Sequence, residues 1–192
     1  MRVLIIASEC APLVKVGGIA DVIGSLPIVL LEQGVDIRVA IPYYKPLKEK
    51  YTADSSLEKP AKVLGRTISY AGKEHEVDVY LTVLPNTNVP VYLVDNAEFI
   101  SNGGIYYSPE TMPSPELEIE RFAFFSKAIA DIFANPSDTN QEIFVPDLIH
   151  CNDWHTGMVP QIIQSHSRFI GKPRVKTIFT IHNLAYQGFS RI

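Results

Sequence analysis

The 192-residue chain is 46% hydrophobic and 20% charged, which supplies one sizeable core and an ordinary balance for a globular fold. Its formal net charge of −4 lays down no basic footprint, so nucleic acid has no electrostatic support as a partner. No apolar run approaches the roughly 18–20 residues that a membrane span requires.

Residues 2–7 (RVLIIA) read as a buried parallel strand, a short β-branched apolar run. It begins at residue 2, so the expectation is that no leader precedes it. Residues 8–15 leave the sheet, and Lys15-Val16-Gly17-Gly18-Ile19-Ala20-Asp21 leads into a helix. Ile19, Val22, Ile23, Leu26, Val29 and Leu30 recur at the i, i+3, i+4, i+7 interval that makes one apolar face, and Gly34 stops it. Pro27 inside this pattern predicts a kink. Adjacent glycines let a backbone approach a ligand closely, and the free amides of a helix start attract an anion. Gly17-Gly18 fits equally a tight turn that packs a helix on a sheet; Lys15 favours the anion, since packing does not require a lysine there.

Residues 35–41 (VDIRVAI) give a second parallel strand, and residues 45–60 a solvated connection with room for one short helix. Residues 63–69 and 76–84 are extended runs around Tyr70-Ala71-Gly72-Lys73, a β-hairpin. Residues 89–94 (VPVYLV) form another buried strand. Residues 95–116 hold Asn102-Gly103-Gly104 and three prolines, and a loop this long predicts a mobile lid or an acceptor loop. Helical period returns over 117–133 and ends at Asn135-Pro136; residues 147–151 are a strand, 157–169 a helix and 174–181 a final strand. Cys10 and Cys151 read as reduced core thiols of a cytoplasmic protein.

Strands alternating with helices predict an α/β fold, a doubly wound, mainly parallel Rossmann-like sheet with the hairpin at an edge or on top. Ligands of such sheets bind outside the carboxyl ends of the strands, so residues 9–15, 152–155 and 182–187 should meet in one crevice. Asn152-Asp153-Trp154-His155 lies at one such turn. Asn152 or Asp153 could cap the next helix and Trp154 could be core, while His155 should face the crevice. His182-Asn183-Leu184-Ala185-Tyr186-Gln187-Gly188 repeats the situation with donors and acceptors suited to sugar hydroxyls. His150, Asp153, His155 and His182 lack any HxH or HExxH spacing, so no metal is expected.

Together with Ser8-Glu9-Cys10-Ala11-Pro12, the segments Lys15–Val22, Asp153–His155 and His182–Gly188, in this order, resemble the bacterial glycogen synthase and plant starch synthase family. The resemblance spans nearly the whole chain. Val16 and Ile19 depart mildly from the family's usual KTGGL, and Lys15, Gly17 and Gly18 remain. Ahead of Arg121-Phe122 the family shows an acidic residue and an asparagine; here stand Pro115-Glu116-Leu117-Glu118, so no role is carried onto them. The resemblance implies a retaining glucosyltransferase with two Rossmann-like domains (GT-B), moving glucose from ADP-glucose to an α-1,4-glucan. Residues 1–192 would be its N-terminal, acceptor-side domain, inactive without the second domain, and working without a cofactor in the cytoplasm or, in a plant, the plastid stroma.

The implied roles are donor-phosphate and sugar binding at Lys15, Gly17, Gly18 and Asp21, and a place beside the transferred glucose for His155. Weaker sugar or acceptor contacts fall to Glu9, Asn183 and Gln187. A non-catalytic glucan-binding fragment is the alternative. A dinucleotide-binding dehydrogenase half is the remote one, since GxGxxG is missing although Asp36 lies at a tolerable distance.

Overall fold

The computed structural model describes residues 1–55, 57–134, 143–165 and 175–188. Its elements run β1 (Arg2–Ile6), α1 (Ile19–Glu32), β2 (Asp36–Pro42), α2 (Lys45–Ala53), β3 (Ala61–Tyr70), β4 (Lys73–Val83), β5 (Pro90–Asp95), α3 (Glu116–Phe133), β6 (Leu148–Asn152), α4 (Met158–Ser165) and β7 (Lys176–Thr180). They form one mixed sheet in the order β3-β4-β5-β2-β1-β6-β7. From β5 to β7 the pairings are parallel, while β4 runs antiparallel to β5 and β3 antiparallel to β4. The hairpin therefore extends an edge of the parallel sheet. Its turn uses Ala71 and Gly72, both at positive φ (50° and 75°), the two-residue geometry that matches strand twist.

Strand alternation sorts the core into two layers. Val3 and Ile5 face α1 and α2 with Ile23, Leu47 and Tyr51, whereas Leu4 and Ile6 face α3 with Phe125 and Ile129. Both sides of β1 are covered, which is why its sequence is a continuous apolar run rather than an alternating one. Cys10 belongs to the first layer and Cys151 to the second, and both are free. Burial pushes each thiol up to about 12.

Helix α1 ends in a double backbone lock. The Gly34 amide donates to Leu31 O at 2.9 Å and the Val35 amide to Leu30 O at 3.1 Å, with Gly34 at φ +80°. The helix continues through buried Pro27. Proline has no N–H to give the carbonyl four residues earlier, and the Cys10 thiol lies 3.6 Å from that carbonyl, of Ile23, and donates to it. At Gly24 a Cβ would meet Ala11 O at 2.4 Å, so the bare backbone is what allows residues 8–15 to lie against the helix. There the Ala11 amide donates to Ala20 O at 3.0 Å.

Of residues 95–116, expected as a mobile lid or an acceptor loop, the stretch 96–105 is anchored to the core, while 107–116 is largely exposed. The Asn96 carboxamide oxygen accepts from the amides of Glu98 (3.0 Å) and Phe99 (2.8 Å). Phe99 stacks on Phe124 at 4.5 Å, and Ile100 is fully buried. The buried Arg121 guanidinium, from α3, donates to the carbonyls of Phe99 and Ile105, each at 3.0 Å, and to those of Asn102 and Gly104. Asn135-Pro136, residues 166–169 of the expected helix and Arg174 of the expected strand lie outside the described residues.

Candidate active site

A cleft of about 860 Å³ opens beyond the carboxyl ends of β1, β6 and β7. That lies within the roughly 300–1,000 Å³ of small-molecule sites. Its walls take Glu9 and Val16 to Ile19 from the segment after β1 and Tyr106 and Tyr107 from the loop before α3. Asp153 to His155 come from the turn after β6, and His182, Asn183 and Gln187 from the segment after β7.

His155 sits in a single 3₁₀ turn, Trp154–Thr156, and is 9% exposed. Its ring packs against Trp154 (centroids 4.3 Å apart), Phe122 (4.5 Å) and Tyr106 (5.4 Å). Burial pushes the imidazole pKa down to about 3, so the ring is neutral at physiological pH. Its Nδ1 is buried with no hydrogen-bond partner among the described residues. A buried polar atom without a partner costs about 1–3 kcal/mol.

The turn that carries His155 is set by its neighbours. Neither Asn152 nor Asp153 caps a helix. Asp153 takes φ 56° and ψ 177°, a backbone region costly for a residue with a Cβ. Its amide donates to Thr180 O at 2.9 Å, and its carboxylate accepts the His182 amide at 2.7 Å. Fully buried Asn152 donates to Ile6 O and His150 O, both at 3.1 Å, while its Oδ1 lies 2.9 Å from the His182 ring. The ends of β1, β6 and β7 are thus tied together under the cleft. His150, inside β6, bonds Thr180 across to β7 at 2.8 Å.

The other candidates divide. Gly17, Gly18, Glu9, Asn183 and Gln187 line the cleft. Lys15 and Asp21 lie outside its lining and form an ion pair at 2.6 Å with both side chains more than half exposed. Such a pair is worth about 0–1 kcal/mol, so it tethers the ammonium weakly at the rim of the glycine loop. Glu9 is 1% exposed, and its carboxylate accepts the Gly17 amide at 2.9 Å, the Val16 amide and the Tyr106 hydroxyl. Among the described residues, no lysine or arginine lines the cleft.

Tyr106, Tyr107 and Ile119 also line the cleft and carry no signal that marks them as candidates, and Glu118, onto which no role is carried, joins them. No hydrophobic period marks Tyr106 and Tyr107, and only the preceding Gly103-Gly104 signals a built turn. Tyr106 joins Ser8 Oγ at 2.8 Å besides Glu9, and burial first of all drives its hydroxyl pKa upward. Glu118 is raised by burial, and its carboxylate accepts the Tyr107 amide at 3.1 Å.

The family model described as the starch synthase catalytic domain matches residues 2–191. The chain belongs to that family. Among curated relatives it is 39% identical to a glycogen synthase of Gloeobacter violaceus over 188 residues, covering 98% of this chain and 34% of that protein. It is 40% identical to glycogen synthase 2 of Geobacter metallireducens over 192 residues, covering 98% of this chain and 36% of that one. The chain thus spans about a third of the length of these relatives. The catalytic domain of starch synthase IV from Arabidopsis thaliana, solved bound to ADP and acarbose, shares the fold at a TM-score of 0.68 and 24% identity over 97% of this chain and 34% of that one.

Burial of His155 has a measurable cost in acid. The folded ring, at about 3, binds its proton more weakly than the unfolded ring near 6.5, so stability is intact above 6.5 and is lost as pH falls toward 3. One such group contributes at most about 1.4 kcal/mol per pH unit across that window. Urea unfolding from pH 7 to pH 4 should show the wild type losing more stability than His155→Gln. Equal losses would mean that the ring is not buried neutral.

Proposed function

We propose that the protein carrying this chain transfers glucose from ADP-glucose to the 4-hydroxyl at the non-reducing end of an α-1,4-glucan, with retention, and that residues 1–192 supply the acceptor side of the site. The observation that carries this reading is the neutral, nine-tenths buried His155 at the turn after β6, in the lining of an aromatic cleft. Tyr106, Tyr107, Trp154 and Tyr186 offer flat apolar faces, and Asn183 and Gln187 offer amides. Support comes also from the relatives named glycogen synthase and from the ADP and acarbose of the structural neighbour.

In the reaction, the bond between glucose and diphosphate breaks with negative charge growing on the phosphates and positive charge on the sugar. The start of α1 places backbone dipoles beside the phosphates, and Lys15 leaves Asp21 to meet the same charge. Gly17 and Gly18 keep side chains out of that approach, and Asp21 shapes the rim. His155 bonds a hydroxyl of the transferred glucose and fixes its orientation. A second Rossmann-like domain supplies the adenine site and closes over the donor, excluding water from the reacting centre. We place the enzyme in the cytoplasm, or the plastid stroma of a plant, because two free buried thiols suit a reducing compartment. The test is glucosyl transfer by the longer protein set against its absence with residues 1–192 alone.

A further inference from the structure

Glu9 is an acid in an unusual position. It lies just beyond β1 with 1% of its surface exposed, and burial of a carboxylate is unfavourable unless its charge is met. What meets it is a set of dipoles: the backbone N–H groups of Val16 and Gly17 on one side and the hydroxyl of Tyr106 on the other. These partners come from two separate segments that line the cleft. Val16 and Gly17 are the glycine loop that opens α1, whereas Tyr106 ends the segment whose carbonyls at Gly104 and Ile105 are gripped by Arg121. A carboxylate offers about four lone-pair sites, and three donors already occupy three of them, so most of its accepting capacity is spent inside the protein.

We propose that Glu9 is a positioning residue: one carboxylate fastens the glycine loop to the Tyr106 segment, so that the two segments are held at a fixed separation and respond together. The mechanical line runs from α3 through Arg121 to residues 104–105, then through Tyr106 and Glu9 to residues 16–17 and α1. Tyr106 also leans on the His155 ring at 5.4 Å, and its hydroxyl is steadied by Ser8 Oγ at 2.8 Å. Ser8 O in turn accepts from Tyr44 at 2.9 Å. A ligand that moves the glycine loop therefore moves the ring beside His155. The fastening itself is a property of the chain; its place in glucosyl transfer rests on the function proposed above.

Amide hydrogen exchange of the 192-residue chain, read by NMR, tests the fastening without any ligand. Tyr106→Phe keeps the ring and touches neither backbone amide, yet it should speed exchange at Val16 and Gly17 by about threefold to tenfold, the effect of losing one hydrogen bond to a shared acceptor. Glu9→Gln keeps the shape; its amide oxygen can accept the backbone amides while its nitrogen donates to Tyr106, so protection should stay within about fivefold of wild type. Glu9→Ala should lose protection by more than tenfold at both amides. Unchanged exchange at Val16 and Gly17 in Tyr106→Phe, or a glutamine variant as exposed as the alanine one, would overturn the proposal. In the longer protein, transfer by Glu9→Gln should exceed that by Glu9→Ala by at least tenfold. If both variants lost transfer equally while exchange followed the expected pattern, the fastening would stand and its place in the reaction would fall.

Discussion

His155→Ala in the longer protein should lower kcat for glucosyl transfer on the order of 10²–10³, the range found when one preorganised donor is removed from a reacting centre. Its KM for ADP-glucose should change little. The expectation follows from where the ring is: shielded from solvent, neutral, and among aromatic side chains rather than beside the glycine loop's exposed rim. Lys15 provides the contrast. Its ammonium is more than half exposed and pairs weakly with Asp21, so it can turn to a diphosphate in the bound donor and more strongly as charge builds. Lys15→Ala should therefore raise KM and lower kcat together. Steady-state kinetics at unchanged melting temperature separate the two. A near-normal kcat for His155→Ala would make that histidine structural.

The largest effect on stability should come from Arg121. Its guanidinium is 2% exposed and donates to the carbonyls of Phe99, Asn102, Gly104 and Ile105. Truncation to alanine strands these acceptors and leaves a void, so a loss of about 3–5 kcal/mol is expected. Lysine should not rescue it, since one ammonium cannot replace a planar fork that spans several carbonyls. Urea unfolding of the chain measures this directly. A loss under about 1 kcal/mol would show that residues 99–105 hold themselves without the arginine.

Much of this architecture is legible in the residues because it is periodic. Continuous apolar runs mark the strands buried on both faces, the 3.6-residue rhythm marks α1 and α3, and Ala71-Gly72 marks the hairpin turn. The position of the cleft follows from the same source, since the polar clusters after β1, β6 and β7 must emerge at the carboxyl ends of neighbouring parallel strands. What stays hidden is non-periodic and long-range. Tyr106 reaches the site only because Arg121, 15 residues later in the chain, clasps the loop before it. Pro27 predicts a kink in α1, but nothing in the sequence shows that the Cys10 thiol meets the carbonyl that proline leaves unpaired. The three donors that meet Glu9 come from residues 7, 8 and 97 positions away, and no sequence pattern announces them.

A transfer assay asks whether this cleft is the acceptor side of an ADP-glucose-dependent glucosyltransferase. The longer protein, incubated with ADP-glucose and maltoheptaose, should release ADP and lengthen the oligosaccharide by single α-1,4-linked glucose units. Residues 1–192 alone should give no product, because half of the donor clamp leaves the sugar exposed to water. Absence of any elongated glucan with the longer protein, or measurable transfer by the 192-residue chain alone, would contradict the account.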